Sequence, residues 1–370
     1  MDTSAWIYPW DVADHGTSAL SPVVRDAGLS AVNVAVSYHS LFATVPDNPR
    51  RHLVELPRGM VYYRPDPAHW RDSAVKPRVS AWVDELGDAL TLGRELAERA
   101  GCGLTAWTVC LHNSLGRRHP ELALRTVWGD VVTAALCVRN PAVRAYAAAL
   151  VADVGAWADR VQLESAHWMP LPHHPHVKLA LPHPVNLGMI AQLCFCDHCR
   201  AAGEAAGVDV GALAGALRRR WERCYETPVL EPLSTEEGYE AYQAVRVQAV
   251  TSLVAELVER SPVPVEFVTF GDRAATGVHL ADIERAGAAV RALAYGPAER
   301  VKEIRAAEEA APDRPRSLHL GLSLLPEHVT DHEAFLGAVD AAGTAPSLSF
   351  YHLGLVGAER RAWPGSVRRG

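Results

Sequence analysis

The chain has 370 residues, of which 49% are hydrophobic and 21% charged, and its formal net charge is −7. Such a composition is ordinary for a globular protein, and the length suits one large α/β barrel as well as two smaller domains. No apolar run approaches the 18 residues that would cross a membrane. The chain also contains no sustained basic run of the kind that binds nucleic acid or an anionic membrane surface. We therefore expect a small-molecule partner, no nucleic acid and no membrane.

The first residues lack the basic start and apolar segment of a secretory signal, and the seven cysteines are an odd number. An odd count argues against a purely disulfide framework, so we expect a protein of the reducing cytoplasm. The sequence is also compatible with a homo-oligomer.

Short β-branched or aromatic runs alternate with long Ala-, Leu- and Arg-rich segments, as in repeated βα units. Eight runs are predicted as strands: 6–12, 31–37, 103–111, 160–164, 263–270, 290–295, 317–325 and 347–353. Eight parallel strands with intervening helices predict an α/β fold, a single (β/α)8 TIM barrel domain over residues 1–370. No Gly-x-Gly-x-x-Gly follows the first strand to favour a dinucleotide fold.

Two of the helices and two long loops have recognisable boundaries. One helix is predicted over 82–100, before Gly101, and another from a capping box at Ser234 and Glu237 to about residue 261. Long loops follow strand 2 (39–77) and strand 4 (165–193), where barrel loops are normally short. Because both lie at the face that carries the active site of this fold, we expect them to shape a substrate site.

Three cysteines, Cys194, Cys196 and Cys199, are spaced so that their thiolates can converge on one ion. Zinc prefers four ligands and favours thiolates in structural sites, so a fourth ligand is needed. The candidates are Cys102, Cys110, Cys137, Cys224 and His198. Cys102 and Cys110 fall at the two ends of predicted strand 3 and are expected to be buried thiols. Cys137 begins a turn before a helix, where a thiolate can be presented.

A Cys-x-x-Asn-Pro turn before a helix, followed past strand 4 by Cys-x-Cys-x-x-Cys, resembles the zinc cluster of family 42 glycoside hydrolases, which are β-galactosidases. The resemblance covers residues 113–200. It implies that Cys137, Cys194, Cys196 and Cys199 bind a structural zinc that staples an insertion around 165–200. A closed four-thiolate site has no open position for substrate. The chain stops after the predicted barrel, so the family's C-terminal domains, including its trimerisation domain, are expected to be missing.

Glu164 is the best catalytic candidate, because it ends a predicted strand where the resembling enzymes keep their general acid/base. Apolar and aromatic surroundings raise the pKa of a carboxyl group, and Trp107 and Trp168 are placed to supply them. The resemblance implies a small-molecule or oligosaccharide glycoside as substrate. The family usually has Asn directly before this glutamate, whereas this chain has Leu163.

Glycoside cleavage usually needs a second carboxylate. The resembling family places it at the end of strand 7, but residues 317–325 contain no acid. We rank the candidates as Asp272, then Glu327, then Asp11.

Other polar and aromatic residues at the strand ends are predicted to bind substrate, with flat rings stacking on sugar faces. They are Trp10, Asp11, Tyr38, His39, Trp107, His112, Asn113, His167, Tyr295, Tyr351 and His352.

Two other interpretations compete with a glycosidase. One is a metal-dependent isomerase or hydrolase, with a divalent ion held by Asp11, His39, His112, Glu164 and His352, although these residues show no tight ligand spacing. The other is a barrel that binds carbohydrate but has lost its nucleophile.

Overall fold

Eight parallel strands close into a barrel in the computed structural model, which describes residues 1–169, 184–226, 231–270 and 272–367. The barrel strands are β1 (Asp2–Ile7), β2 (Ala31–Tyr38), β3 (Gly103–Val109), β4 (Arg160–Glu164), β5 (Val265–Thr269), β6 (Ala289–Leu293), β7 (Leu318–Ser323) and β8 (Ser347–Tyr351). Each pairs in parallel with the next along the chain, and β8 pairs with β1. The predicted (β/α)8 TIM barrel is confirmed.

Helices surround the barrel. Within the described residues they are α1 (Pro9–His15), α2 (Thr17–Asp26), α3 (Trp82–Leu86), α4 (Ala89–Ala100), α5 (Pro141–Gly155), α6 (Pro184–Gln192), α7 (Asp197–Ala205), α8 (Val210–Glu226), α9 (Tyr239–Arg260), α10 (Arg273–Thr276), α11 (Leu280–Arg285), α12 (Ala298–Ala310), α13 (His332–Ala342) and α14 (Ala358–Ala362). No helix of these ranges is long and apolar enough to span a membrane.

Three predicted boundaries were wrong for local reasons. The first strand was predicted over 6–12, but it ends at Ile7 because Pro9 starts α1. The helix predicted over 82–100 is broken at Gly87, whose φ of 103° excludes a helical conformation, and Asp88 caps α4. Ser234 lies in a single 3-10 turn, and α9 begins only after Gly238.

The loops after β2 and β3 contain antiparallel pairs that the sequence analysis did not predict. The strand Leu41–Thr44 pairs with Leu53–Leu56, and Met60–Val61 pairs with the end of β2. Between β3 and α5, Ala123–Arg125 pairs with Val131–Leu136.

The loop after β2 is tied to the barrel by a buried carboxylate on α5. Asp153 accepts hydrogen bonds from the Tyr63 hydroxyl at 3.0 Å and from the Trp70 indole nitrogen at 2.7 Å. This part of the loop is therefore held against the outer helix layer.

The inside of the barrel contains a buried ion pair. The Arg291 guanidinium lies 2.7 Å from Glu266, which also accepts a 2.5 Å hydrogen bond from the Gln162 amide. Trp6 donates to the Gln162 oxygen at 2.5 Å. Because alternate residues of a strand share a face, Gln162 lies one layer below Glu164. The network therefore forms a polar floor beneath the mouth, in which the Arg291 Nε alone of the guanidinium nitrogens has no hydrogen-bond partner among the described residues.

Candidate active site and cysteine cluster

Glu164 lies at the carboxyl end of β4, half-buried in the mouth of the barrel. Its Oε2 accepts a hydrogen bond of 2.6 Å from the indole nitrogen of Trp107 on β3. The next residue, Ser165, has a φ of 56°, in the left-handed region that residues other than glycine seldom adopt, so the chain turns sharply here. Burial raises the pKa of Glu164 from 4.5 to about 7, against the opposing effect of the Trp107 hydrogen bond. A carboxyl group of this pKa can give and take a proton near neutral pH.

Three tyrosine hydroxyls meet above the barrel core. Tyr8 donates to Tyr38 at 3.0 Å, and its hydroxyl lies 3.4 Å from that of Tyr351. The Tyr8 ring stacks on Trp107, with centroids 5.6 Å apart. Tyr8 was missed by the sequence analysis, although its place among the aromatic residues ending β1 was an available signal.

The tyrosines surround the carboxyl of Glu164. Burial raises the pKa of Tyr38, Tyr295 and Tyr351, and the negative charge of Glu164 raises each of them further. Tyr295 also stacks on Tyr351 at 5.2 Å. The structure therefore brings together five of the residues predicted for the site: Glu164, Trp107, Tyr38, Tyr295 and Tyr351.

The three candidates for the second carboxylate have different surroundings. Asp272 is exposed and caps α10, accepting a hydrogen bond from the Ala274 backbone at 2.8 Å. Glu327 is also exposed, and its charge contributes, with that of Glu164, to the raised pKa of Tyr351.

Asp11, the third candidate, is buried on α1 rather than at a strand end. Burial raises its pKa to about 7, although a 3.3 Å hydrogen bond from Asn48 opposes the effect. Its Oδ2 has no hydrogen-bond partner within the described ranges and packs against Gly354.

Several residues predicted to bind substrate have no exposed surface. Trp10 is fully buried and stacks on Tyr8 at 4.3 Å. His352 is fully buried, and its Nδ1 accepts a hydrogen bond from the Gly354 backbone. His167 is also fully buried, with its ring 5.1 Å from Phe270. Contact of these three with a sugar would require the wall of the mouth to open.

Asn113, also predicted to bind substrate, is committed to local structure. Its side-chain oxygen accepts from the Leu115 backbone at 3.0 Å, and its amide donates to Tyr146 at 3.2 Å. Four other histidines of the loop after β4 lie outside the described residues: His173, His174, His176 and His183.

Four cysteines converge as the motif predicted. The sulfur atoms of Cys137, Cys194, Cys196 and Cys199 all lie within 4.8 Å of one another, and all four residues are buried. The Cys137 sulfur is 3.5 Å from that of Cys196 and 3.6 Å from that of Cys199. Metal–sulfur bonds of about 2.3 Å in a tetrahedron would separate the sulfurs by about 3.8 Å. The donor set therefore fits one metal ion.

The cluster joins three parts of the fold. The Cys194 carbonyl accepts a 2.6 Å hydrogen bond from the hydroxyl of Tyr242 on α9. The Tyr242 ring stacks on the Phe195 ring, with centroids 5.1 Å apart. The Phe195 backbone donates to the Arg125 carbonyl at 2.7 Å. The segment that carries Cys194 and Phe195 is thereby fixed to α9 and to the hairpin after β3.

The alternative divalent-ion site is not formed in the described part of the chain. There, the four cysteines are the only group of three or more His, Cys, Asp or Glu side chains whose ligand atoms lie within reach of one ion. The predicted ligands Asp11, His39, His112, Glu164 and His352 do not form such a group.

Comparison with known proteins adds information about the fold. No protein-family model matches the sequence, and no curated protein sequence does. A β-galactosidase from the psychrophilic Marinomonas ef1 matches with a TM-score of 0.57 and 12% identity, over 99% of this chain and 59% of that enzyme. A β-galactosidase from the Antarctic haloarchaeon Halorubrum lacusprofundi matches with a TM-score of 0.51 and 16% identity, over 99% of this chain and 57% of that enzyme.

The chain has the barrel fold of these β-galactosidases. It spans less than two thirds of the length of either enzyme. At such low identity the likeness shows the fold alone, because one barrel fold supports many chemistries.

Proposed function

We propose that the protein is a glycoside hydrolase in which Glu164 is the general acid/base. The observation that carries the proposal is the carboxyl of Glu164, half-buried at the end of β4, hydrogen-bonded to Trp107 and ringed by tyrosines, with its pKa raised to about 7. The structural neighbours are β-galactosidases, which supports the same class of reaction.

In this mechanism, protonated Glu164 donates its proton to the leaving oxygen as the glycosidic bond breaks. The resulting carboxylate then accepts a proton from the water that completes hydrolysis. The indole N–H of Trp107 holds the carboxyl in place and stabilises it after the proton has left. The partly exposed rings of Tyr295 and Tyr351 would stack on the sugar.

For the second carboxylate we place Glu327 ahead of Asp272. Glu327 follows β7, and its charge is one contribution to the raised pKa of Tyr351, whereas the carboxylate of Asp272 is engaged in capping α10. A nucleophile must lie about 5 to 5.5 Å from the acid/base, and a wider separation would leave room for an attacking water. Asp11 ranks last because it is buried beneath Gly354.

The test is hydrolysis of aryl β-galactosides and related glycosides by the wild type and by Glu164→Gln, with Glu327→Gln and Asp272→Asn alongside. General acid catalysis contributes about 10²- to 10⁴-fold, so Glu164→Gln should lose that much on a phenyl glycoside. It should lose much less on a dinitrophenyl glycoside, whose leaving group needs no proton. Equal activity of Glu164→Gln and wild type on both substrates would refute the assignment, and binding without turnover by the wild type would favour the non-catalytic barrel.

We also infer that the ion held by Cys137, Cys194, Cys196 and Cys199 is zinc, in a structural role. Four thiolates in tetrahedral reach are a typical structural zinc site, and they leave no position for substrate. When bound, the ion would cross-link the segment after β4 to the rest of the barrel. Cys102, Cys110 and the four cysteines of the cluster form no disulfide.

A further inference from the structure

A small positively charged cleft opens beside the barrel mouth, between the loops that follow β2 and β3. Its lining includes the exposed residues Arg58 and Arg117, and it also includes His39 and His112. No residue of this lining carries a carboxylate. The contrast with the net charge of −7 makes a cationic cleft unusual for this chain.

The two arginines are not used for folding. Other arginines of the chain form ion pairs, such as Arg94 with Asp159 at 3.0 Å and Arg144 with Glu256 at 2.8 Å. Neither Arg58 nor Arg117 takes part in a hydrogen bond or ion pair of its side chain with any residue of the described ranges. Guanidinium groups left unpaired in a cleft can bind an anion through paired N–H groups.

The walls of the cleft are packed against each other. The Ser114 hydroxyl donates to the Gly59 carbonyl at 3.3 Å. A Cβ at Gly59 would lie 3.2 Å from the Ser114 nitrogen, so a larger residue here would press on the facing segment. Arg58 and Arg117 are therefore carried by two segments whose relative position is fixed by direct contact.

A chain of ring contacts connects the cleft to the proposed acid/base. His112 stacks on His39 at 4.4 Å, and His39 stacks on Tyr38 at 4.3 Å. Tyr38 in turn meets Trp107 at 5.0 Å, and Trp107 donates to Glu164. Tyr38, Trp107 and His112 are buried, so these contacts are packing within the wall of the mouth, and they place the cleft three ring contacts away from Trp107.

We propose that this cleft binds an anionic group of the substrate, either the carboxylate of a uronic acid or a sulfate ester. The inference rests on the proposed function, because it takes the mouth to be a glycoside site. It narrows the substrate class from glycosides in general to acidic oligosaccharides.

The test measures binding rather than turnover. The Glu164→Gln protein is titrated by calorimetry with a galacturonic acid disaccharide, a sulfated galactobiose and neutral galactobiose, at low and high salt. Arg58→Gln/Arg117→Gln is added as the cleft variant. Arg118→Gln is the matched control, since Arg118 is an exposed neighbour that does not line the cleft.

We expect at least one anionic disaccharide to bind more tightly than the neutral one, with an affinity that falls at high salt. The cleft variant should weaken that binding about tenfold, and Arg118→Gln should leave it unchanged. Comparison of the two anionic ligands distinguishes carboxylate from sulfate. Equal binding of all three sugars, no binding at all, or equal effects of the cleft variant and the control would overturn the inference.

Failure of this inference and failure of the proposed function give different results. If the wild type hydrolyses aryl glycosides but the cleft variant binds every sugar normally, the cleft proposal is wrong and the hydrolase proposal stands. If anionic sugars bind through the arginines but no glycoside is cleaved, the cleft stands and the hydrolase proposal is wrong.

Discussion

Glu164→Gln should make the protein more stable at alkaline pH while it removes activity. The pKa of Glu164 is raised from 4.5 to about 7 because the carboxyl is withdrawn from water. A carboxyl with a raised pKa contributes most to stability below pH 4.5, and that contribution is lost as the pH rises through 7. Glutamine has no charge to bury, and its amide oxygen can still accept from Trp107.

The size of the effect follows from the pKa difference. Each pKa unit corresponds to about 1.4 kcal/mol. The change from 4.5 to about 7 therefore limits the destabilisation of the wild type by ionised Glu164 to about 3 kcal/mol at pH 8. Solvent that reaches the half-buried carboxyl through the mouth reduces this figure. For 370 residues, an unfolding entropy of about 2.1 cal/mol/K per residue converts 1 kcal/mol into about 1.3 °C. The variant should therefore gain up to about 4 °C in Tm between pH 5 and pH 8, relative to the wild type.

The assay is thermal unfolding of both proteins in a pH series from 5 to 8. Asp11, whose pKa is also about 7, is present in both proteins, so its contribution to the pH dependence cancels in the Tm difference. Glu327→Gln is the control, since it removes an exposed carboxylate and should give a Tm difference that does not change with pH. Parallel pH curves for Glu164→Gln and wild type would show that Glu164 is not a buried acid and would refute the reasoning.

Two further predictions concern Trp107 and the cysteines. Trp107→Phe removes the hydrogen bond that favours ionised Glu164, so the pH at which activity falls on the alkaline side should rise by about one unit in a pH–rate profile. Cys196→Ser should reduce the bound zinc from one ion per chain to none by elemental analysis and lower the Tm, whereas Cys110→Ser, outside the cluster, should keep the zinc.

The barrel itself was predictable, because alternating apolar strands and amphipathic helices leave a strong periodic pattern. The end of the first strand was not predictable in this way. Residues 6–12 are apolar or aromatic except for Asp11, and such a run fits a buried strand or a buried helix equally well, so Pro9 was the main sign of the change. Similarly, nothing in the composition of 82–100 shows that Gly87 adopts a positive φ.

The site was predictable to the extent that it depends on strand ends and local motifs. Glu164 and Trp107 lie near the carboxyl ends of neighbouring strands, so their contact follows from the topology. The spacing of Cys194, Cys196 and Cys199 predicted three members of the cluster, and the family resemblance implied the fourth, Cys137. The cleft at Arg58 and Arg117 depends instead on how two irregular loops pack on each other. Packing of this kind is set by tertiary contacts, which carry no periodic signal in the sequence.

Two glutamates inside the barrel show why Glu164, and not its neighbour, is suited to proton transfer. Burial raises the pKa of Glu266 as well, but the charge of Arg291 and hydrogen bonds from Arg291 and Gln162 outweigh that effect and hold it below its ordinary value. Glu164 has only the neutral indole of Trp107 to oppose burial. Arg291 is a buried cation beside Glu266, and it keeps that carboxylate ionised in its structural role. Glu164, one layer above, lacks such a partner, so its carboxyl titrates near neutrality.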